Sequence, residues 1–355
     1  MNNSLLKNFW KKKRVLVTGH TGFKGSWLCF VLKEMEAKVY GYSLKAEHKF
    51  GFFNMLNIKK KIDISCIADV NNETKLFKFI SSVQPQIIFH LAAQSLVLRS
   101  FHDPINTFRT NIMGSINVLH VAKKVKSVKA ILITTTDKVY ENKENINGYK
   151  ENDALGGNDN YSASKASAEI VINSYRNSYF RSSKDPYIAT VRSGNVIGGG
   201  DWSENRLIPD IIKSIQYKKI LKLRNPNSIR PWQHILDCIY GYLILSENLF
   251  KKNKKAVGAW NLGPDSLRLY KVKDIVCFFK KEFNNFKYTF NKKSNSIETK
   301  ILTLNNNKIK KIFKWKSKLN MKNSLKLTLE WYKFFLEKRD LQKISKYQIN
   351  NFFNE

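Results

Sequence analysis

The stretch Val15-Leu16-Val17-Thr18-Gly19-His20-Thr21-Gly22-Phe23-Lys24-Gly25, running directly into Ser26-Trp27-Leu28, decides how the chain is read. An apolar strand enters a G-x-x-G-x-x-G turn, and a helix leaves it. In such a turn the first glycine, Gly19, permits the tight bend. Gly22 lets backbone amides approach a pyrophosphate, and Gly25 lets helix and strand pack closely. The helix N-terminus adds unpaired N–H groups and the positive end of the helix dipole, which favour an anion. Thr21, Phe23 and Lys24, between the glycines, are counted with them as candidates for holding a nicotinamide dinucleotide. A glycine pattern alone also fits an ordinary strand–helix turn, so the surrounding pattern has to decide.

Outward from this turn, short apolar runs alternate with amphipathic stretches. Strands are predicted over 14–18, 38–42, 62–67, 86–91, 130–134 and 187–192, and helices over 25–36, 73–82, 105–125 and 162–179. That alternation predicts an α/β fold with a doubly wound parallel sheet, its ligand crevice at the carboxyl ends of the strands. Beyond Arg192 the pattern loosens: Gly198-Gly199-Gly200 begins a loop, and helices are expected over 209–218, 235–250 and 324–338. The division expected is a dinucleotide-binding domain over 1–190 and, over 191–355, a smaller α/β domain for substrate with a strand or two returning to the sheet.

Bulk properties narrow the function class. The 355 residues, 43% hydrophobic, are enough for a substantial core. Neither a signal peptide nor a run of ~20 apolar residues is found, so a cytoplasmic, membrane-independent protein is expected. The four cysteines, Cys29, Cys66, Cys238 and Cys277, form no paired ligand spacing, and no metal is expected. The formal charge of +34 is spread along the chain rather than gathered in an arginine-rich arm. It is therefore read as a solvated surface, with nucleic-acid binding kept as a remote alternative.

A second pattern, Tyr161-Ser162-Ala163-Ser164-Lys165, puts a phenol and an ammonium four residues apart, on one face of a helix. A phenol ordinarily titrates near pH ~10. A neighbouring cation would lower that value and make a base able to deprotonate a sugar hydroxyl. After the second strand, where an acidic residue would meet the cofactor ribose, the chain reads Tyr42-Ser43-Leu44-Lys45. Ser43 suits a ribose hydroxyl and Lys45 a 2′-phosphate, which leaves NAD and NADP both open. Asp69-Val70, after the third strand, either recognises the adenine or is a solvated loop.

Taken together these patterns resemble the extended short-chain dehydrogenase/reductase family. His90-Leu91-Ala92-Ala93-Gln94 is similar to the family's segment beside the cofactor, and Asn111 matches its structural asparagine. The fifth strand ends Thr134-Thr135-Thr136-Asp137-Lys138. This resembles the CDP-glucose branch of the nucleotide-sugar 4,6-dehydratases, where other branches carry glutamate in place of the lysine. The stretches RSGNVIGGGDW (192–202), RNPNSIRPWQH (224–234), Trp260-Asn261-Leu262-Gly263-Pro264 and Trp331-Tyr332 resemble that branch too. Ser95 departs from it by standing where a proline is usual.

The resemblance implies a redox-neutral dehydration of a CDP-sugar with bound NAD: C4 oxidation, loss of water across C5 and C6, and return of hydride to C6. It implies that Leu91, Ala92, Ala93, Thr134, Tyr161 and Lys165 line the cofactor. Tyr161 would be the C4 base, Thr136 would orient the C4 hydroxyl, and Asp137 would act as acid on the C6 hydroxyl. Asp137 could instead cap the following turn. Lys138 could take the C5 proton if neutral, steady the enolate if charged, or be a plain solvated lysine. Gln94, Asn195, Arg206, Arg230 and His234 are implied on the substrate. Arginine suits the diphosphate because its planar fork pairs bidentately with phosphate oxygens. A dimer through 105–125 and 162–179, and a product destined for surface-polysaccharide deoxysugars, are likewise implied. Another nucleotide-sugar 4,6-dehydratase, an epimerase or reductase of the family, and a non-catalytic dinucleotide-binding protein are the alternatives.

Overall fold

The computed structural model describes residues 3–265, 269–290 and 300–354. Along the chain its strands are β1 (Arg14–Thr18), β2 (Lys38–Ser43), β3 (Ile64–Ile67), β4 (Ile87–His90), β5 (Ala130–Thr134), β6 (Tyr187–Ser193), β7 (Val196–Ile197), β8 (Leu221–Leu223), β9 (Gln233–His234), β10 (Gly258–Leu262) and β11 (Tyr288–Phe290). The helices of eight or more residues are α1 (Asn3–Trp10), α2 (Phe23–Glu34), α3 (Glu73–Val83), α4 (Gly114–Lys124), α5 (Asn160–Tyr179), α6 (Leu207–Gln216), α7 (Ile235–Phe250), α8 (Val272–Glu282), α9 (Met321–Leu336) and α10 (Leu341–Asn354).

Seven strands form one sheet in the order β10-β6-β5-β4-β1-β2-β3. Every neighbouring pair in it is parallel. β4 and β5 are buried along their whole length, as continuous apolar runs covered on both faces must be. Alternate residues feed two cores: Val15, Val17, Phe89 and Leu132 join one, and Leu16, Ile88, Ile131 and Ile133 the other. Side chains of α2, α7 and α9 fill the first, and side chains of α3, α4 and α5 the second. The strand order reverses between β1 and β4, which opens a crevice at their carboxyl ends.

The doubly wound sheet predicted from the alternating pattern is present, with two local differences. The third strand is shorter than 62–67, because the Asp63 carboxylate turns back to accept the Val39 N–H at 2.8 Å. The helix expected over 105–125 is broken: Pro104–Phe108 passes into a π-turn, Arg109–Met113, before α4 begins. The widened turn is centred on Asn111, and π-turns of this kind recur at functional sites. After β6 the chain forms two small parallel pairs, β7 with β9 and β8 with β11, and returns to the main sheet as β10, beside β6.

Candidate active site

A cleft of about 830 Å³ opens at the carboxyl ends of the strands, within the size range of a ligand site. Its floor is the glycine turn. A side chain at Gly25 would put Cβ 2.1 Å from the Gly19 carbonyl, and one at Gly19, where φ is +74°, would strike Ala92 at 2.7 Å. Packing therefore dictates both glycines. Gly22 is different: its Cβ would find nothing closer than the Gly19 carbonyl at 3.4 Å. Its glycine is not required by the protein's own packing, which suits a position reserved for close approach of a ligand. No side chain caps α2 at Gly22. The first N–H groups of the helix thus face the cleft with the dipole behind them.

Along the rim, Thr21 Oγ1 lies 2.9 Å from Ser43 Oγ and donates to the Leu44 carbonyl at 3.0 Å. Ser43, Lys45, Asp69 and Val70 all line the cleft. The Asp69 carboxylate accepts the Asn71 N–H at 2.8 Å, capping its own turn, and Val70 packs against Gly114. At the β4 end, Thr18 and His90 join at 2.7 Å, and Leu91, Ala92 and Ala93 form the wall. Burial pushes His90 down to about 3, so it is a neutral structural ring.

Gln94 borders the cleft, but its side chain is committed to its own loop. Nε2 donates to Thr107 and to the Leu96 carbonyl, and Oε1 accepts the Leu96 N–H. Asn111 holds the same loop: Oδ1 accepts the Gln94 N–H, and Nδ2 donates to the Gln94 carbonyl and to Ser164 of α5. The π-turn thereby fastens the loop after β4 to the helix that carries Tyr161.

The expected catalytic residues meet at the end of β5. Thr136 Oγ1 accepts the Lys138 N–H at 3.3 Å and donates to Asp137 Oδ1 at 3.1 Å. The Tyr161 side chain lines the same cleft as Thr136 and Asp137. Asp137 is buried, and its Oδ2 has no hydrogen-bond partner among the described residues. Burial raises its pKa, against the opposing charges of Lys138, Arg230 and Lys24. Lys138 lines the cleft beside it, half-buried.

The reading of Tyr161 as a phenol lowered by Lys165 needs correction for this arrangement. Burial pushes Tyr161 up to about 12, and the cation that draws it down is Arg206. Lys165 shares the helix face, yet its ammonium donates to the Thr134 carbonyl at 3.1 Å. Burial, with help from Lys24, lowers Lys165 to about 8, while Glu169 opposes them.

Beneath these residues lies a buried ionic clamp that the motif reading missed. Glu169 accepts from Arg192 Nε at 3.0 Å and Nη2 at 3.1 Å, from Thr135 at 2.6 Å and from Thr190 at 2.8 Å. Glu169 sits four residues past Lys165 on the same face of α5, and that spacing was the available signal.

Lys24 lines the cleft with the rest of the glycine turn. Its ammonium crosses to β6 and donates to Ser193 Oγ at 3.0 Å. Burial lowers its pKa, and Arg206, Asp137 and Asp201 all act on it. Asp201 anchors Arg206 at 3.1 Å, and Arg206 also reaches Ser95 at 3.4 Å. Distant residues position that anchor. Trp331 occupies the space a side chain at Gly199 would need, and the Tyr332 hydroxyl donates to the Asp201 carbonyl at 2.6 Å. Asn195 and Arg230 line the cleft, Arg230 with Nη1 on the Ile229 carbonyl at 2.9 Å. His234 does not reach it. The ring is fully buried, Nδ1 accepts the Leu236 N–H as the cap of α7, and the imidazole is pushed down to about 3. Its expected place on the substrate is corrected to a helix cap. Among the described residues no group of three metal-ligating side chains is found, and no helix is long and apolar enough to cross a membrane.

The sequence matches the family described as GDP-mannose 4,6 dehydratase over residues 16–328. It is 38% identical to a CDP-glucose 4,6-dehydratase of Salmonella typhimurium over 353 residues, 98% of each chain. Among solved structures, a dTDP-glucose 4,6-dehydratase from Bacillus anthracis in complex with NAD superposes with a TM-score of 0.74 over 94% of this chain and 99% of that one, at 23% identity. A UDP-glucose 4-epimerase from Thermotoga maritima with UDP-glucose gives 0.76 over 91% and 99%, at 21% identity. At such identities the two structures speak for the fold.

Proposed function

We propose, for a chain that belongs to the GDP-mannose 4,6 dehydratase family, that it dehydrates CDP-D-glucose to CDP-4-keto-6-deoxy-D-glucose with tightly bound NAD. The observation that carries this reading is Asp137, a buried carboxyl of raised pKa with an unpartnered oxygen, hydrogen-bonded to Thr136 in the same cleft as Tyr161. An epimerase or a simple reductase needs the phenol but not a protonated acid beside it. The choice of CDP rests on the relative from Salmonella typhimurium and on Thr136-Asp137-Lys138.

The residues fit the cofactor: two glycines fixed by packing, a third with room above it, and an uncapped helix end. Gly19, Thr21, Gly22, Phe23 and Gly25 would hold the pyrophosphate, Ser43, Asp69 and Val70 the adenosine end, and Leu91 to Ala93, Thr134 and Lys165 the nicotinamide end. NAD would supply a hydride store, filled from C4 and emptied at C6. Tyr161 takes the proton of the C4 hydroxyl that Thr136 orients. Asp137 gives its proton to the C6 hydroxyl as it leaves, for which a carboxyl kept neutral by burial is suited. Lys138 serves C5: as a free amine it takes the proton, and as an ammonium it steadies the enolate while water takes it. Asn195, Arg206 and Arg230 grip the nucleotide diphosphate.

The proposed organisation is a cofactor domain through residue 190 and a substrate domain beyond it, in a cytoplasmic dimer. Ile105, Met113, Ile170 and Tyr179 are exposed on the helices expected to meet in that dimer, which supports the pairing. The proposed role is supply of deoxysugars for surface polysaccharide. Incubation with CDP-glucose, dTDP-glucose and GDP-mannose, followed by assay for a 4-keto product absorbing in alkali, should give product from CDP-glucose. No turnover of CDP-glucose defeats the proposal.

A further inference from the structure

A nucleotide sugar held by its diphosphate has two ends, and the cleft has a place for each. The sugar end meets Tyr161 and the residues after β5. The base must go to the other end, which lies where the chain turns back from α6 into β8. That turn is closed by the Lys219 N–H donating to the Ser214 carbonyl at 2.9 Å, and β8 packs back along the helix. Ile208 and Pro209 of α6 and Leu221 and Leu223 of β8 border the cleft there, and all four are buried. Apolar walls of this kind suit the faces of a planar base.

Asp210 stands among these walls and borders the same cleft. It lies four residues beyond Arg206, so the two share one side of the helix, and the Asp210 N–H donates to the Arg206 carbonyl at 3.0 Å. Arg206, anchored by Asp201, is the residue given to the diphosphate. Asp210 is then about one helical turn further along, a span that one ribose covers. Among the described residues no hydrogen bond or ion pair engages its carboxylate. Lys213, three residues on and the nearest cation along the helix, donates instead to the Trp202 carbonyl at 3.2 Å. Burial pushes Asp210 up to about 6, so above neutral pH it is an ionised group that can only accept. A carboxylate drawn partly out of water with no donor is costly to the fold, and a ligand that brings a donor accounts for it.

We propose that Asp210 reads the base of the nucleotide, its carboxylate accepting a hydrogen bond from the exocyclic N4 amine of cytosine. Uracil and thymine present a carbonyl oxygen at that position, and acceptor would face acceptor. Their ring N3–H is flanked by two carbonyl oxygens, so a carboxylate approaching it meets repulsion as well. Guanine, whose N1–H and N2 amine also pair with a carboxylate, is the competing base. The assignment rests on the CDP-sugar substrate proposed above and names the residue that selects it.

The test is calorimetry of the NAD-loaded protein, above neutral pH, with CDP, UDP and GDP, which differ only in the base. Wild type should bind CDP about 10- to 100-fold more tightly than UDP, the scale of one specific polar contact to a base edge, and more tightly than GDP. Asp210→Asn, whose amide can turn either a donor or an acceptor to the base, should bring CDP and UDP close together, chiefly by tightening UDP. Asp210→Ala should weaken CDP and leave UDP no weaker. A wild type that binds CDP and UDP alike, or prefers GDP, overturns the assignment. Variants that weaken both pyrimidine nucleotides equally overturn it too, since a merely structural carboxylate would do that. A wild type that prefers CDP through Asp210 and yet fails to turn over CDP-glucose defeats the dehydration proposed above and leaves the reading of the base standing.

Discussion

Replacing Arg192 by methionine should destabilise the protein by about 3–5 kcal/mol, because it leaves a buried carboxylate without its cation. In the native chain Arg192 and Glu169 are each 4% exposed and joined by two hydrogen bonds, while Thr135 and Thr190 complete the carboxylate's set of four. Methionine removes the two charge-assisted bonds and keeps the two hydroxyl donors, too few for a full charge out of water. At about 2 °C per kcal/mol for a chain of this size, the thermal midpoint should fall by roughly 6–10 °C. The double variant Glu169→Leu/Arg192→Met removes both charges and should be less destabilised than Arg192→Met alone. The pH dependence has a definite sign. The Arg192 guanidinium and the hydroxyl donors overcome burial and hold the Glu169 pKa below its ordinary value. The pair's contribution is therefore complete above the unfolded pKa of about 4.3 and fades as pH falls through the lower native value. The gap between wild type and Arg192→Met should close on that acid side. Thermal melts from pH 7 downward measure all of this. A loss under 1 kcal/mol for Arg192→Met, or a double variant weaker than the single, would refute the view of a clamp whose charges are mutually dependent.

Two further outcomes are expected. Lys138→Ala should block solvent-deuterium incorporation at C5 of the CDP-sugar while C4 oxidation, seen as transient reduced nicotinamide, survives; wild-type exchange would remove Lys138 from the C5 chemistry. Gly25→Ala should abolish NAD binding measured by calorimetry, since its Cβ would sit 2.1 Å from a backbone oxygen, while Gly22→Ala should keep the fold and lose affinity for the ligand alone; equal loss of folding in both would contradict the separate roles given to the two glycines.

What could be read from the sequence was local or periodic. The glycine turn, the buried runs of β4 and β5 and the shared face of Tyr161 and Lys165 all follow from short-range geometry. What could not be read depends on partners far along the chain. Lys24 looked like part of the cofactor turn, but its ammonium finds Ser193, 169 residues away. His234 looked like a ligand for substrate, yet only the packing around α7 shows that it is sealed in. Gln94 turned inward because the π-turn at Asn111 brought Thr107 to it, and no apolar periodicity announces a widened helix. The pKa of Tyr161 is another case, because spacing brings a cation onto the same face but burial decides the direction.

The place of β10 has a consequence for how the chain is made. Its five residues cover the outer edge of β6, and they are synthesised some 65 residues after β6 has ended at Ser193. Until Leu262 clears the ribosome, the nascent sheet shows an uncovered strand, Tyr187–Ser193, with its hydrogen-bonding groups open to any other extended chain. A fragment cut just after Ser193 would keep that exposure permanently, and so would associate through β6 rather than persist as an independent cofactor-binding unit.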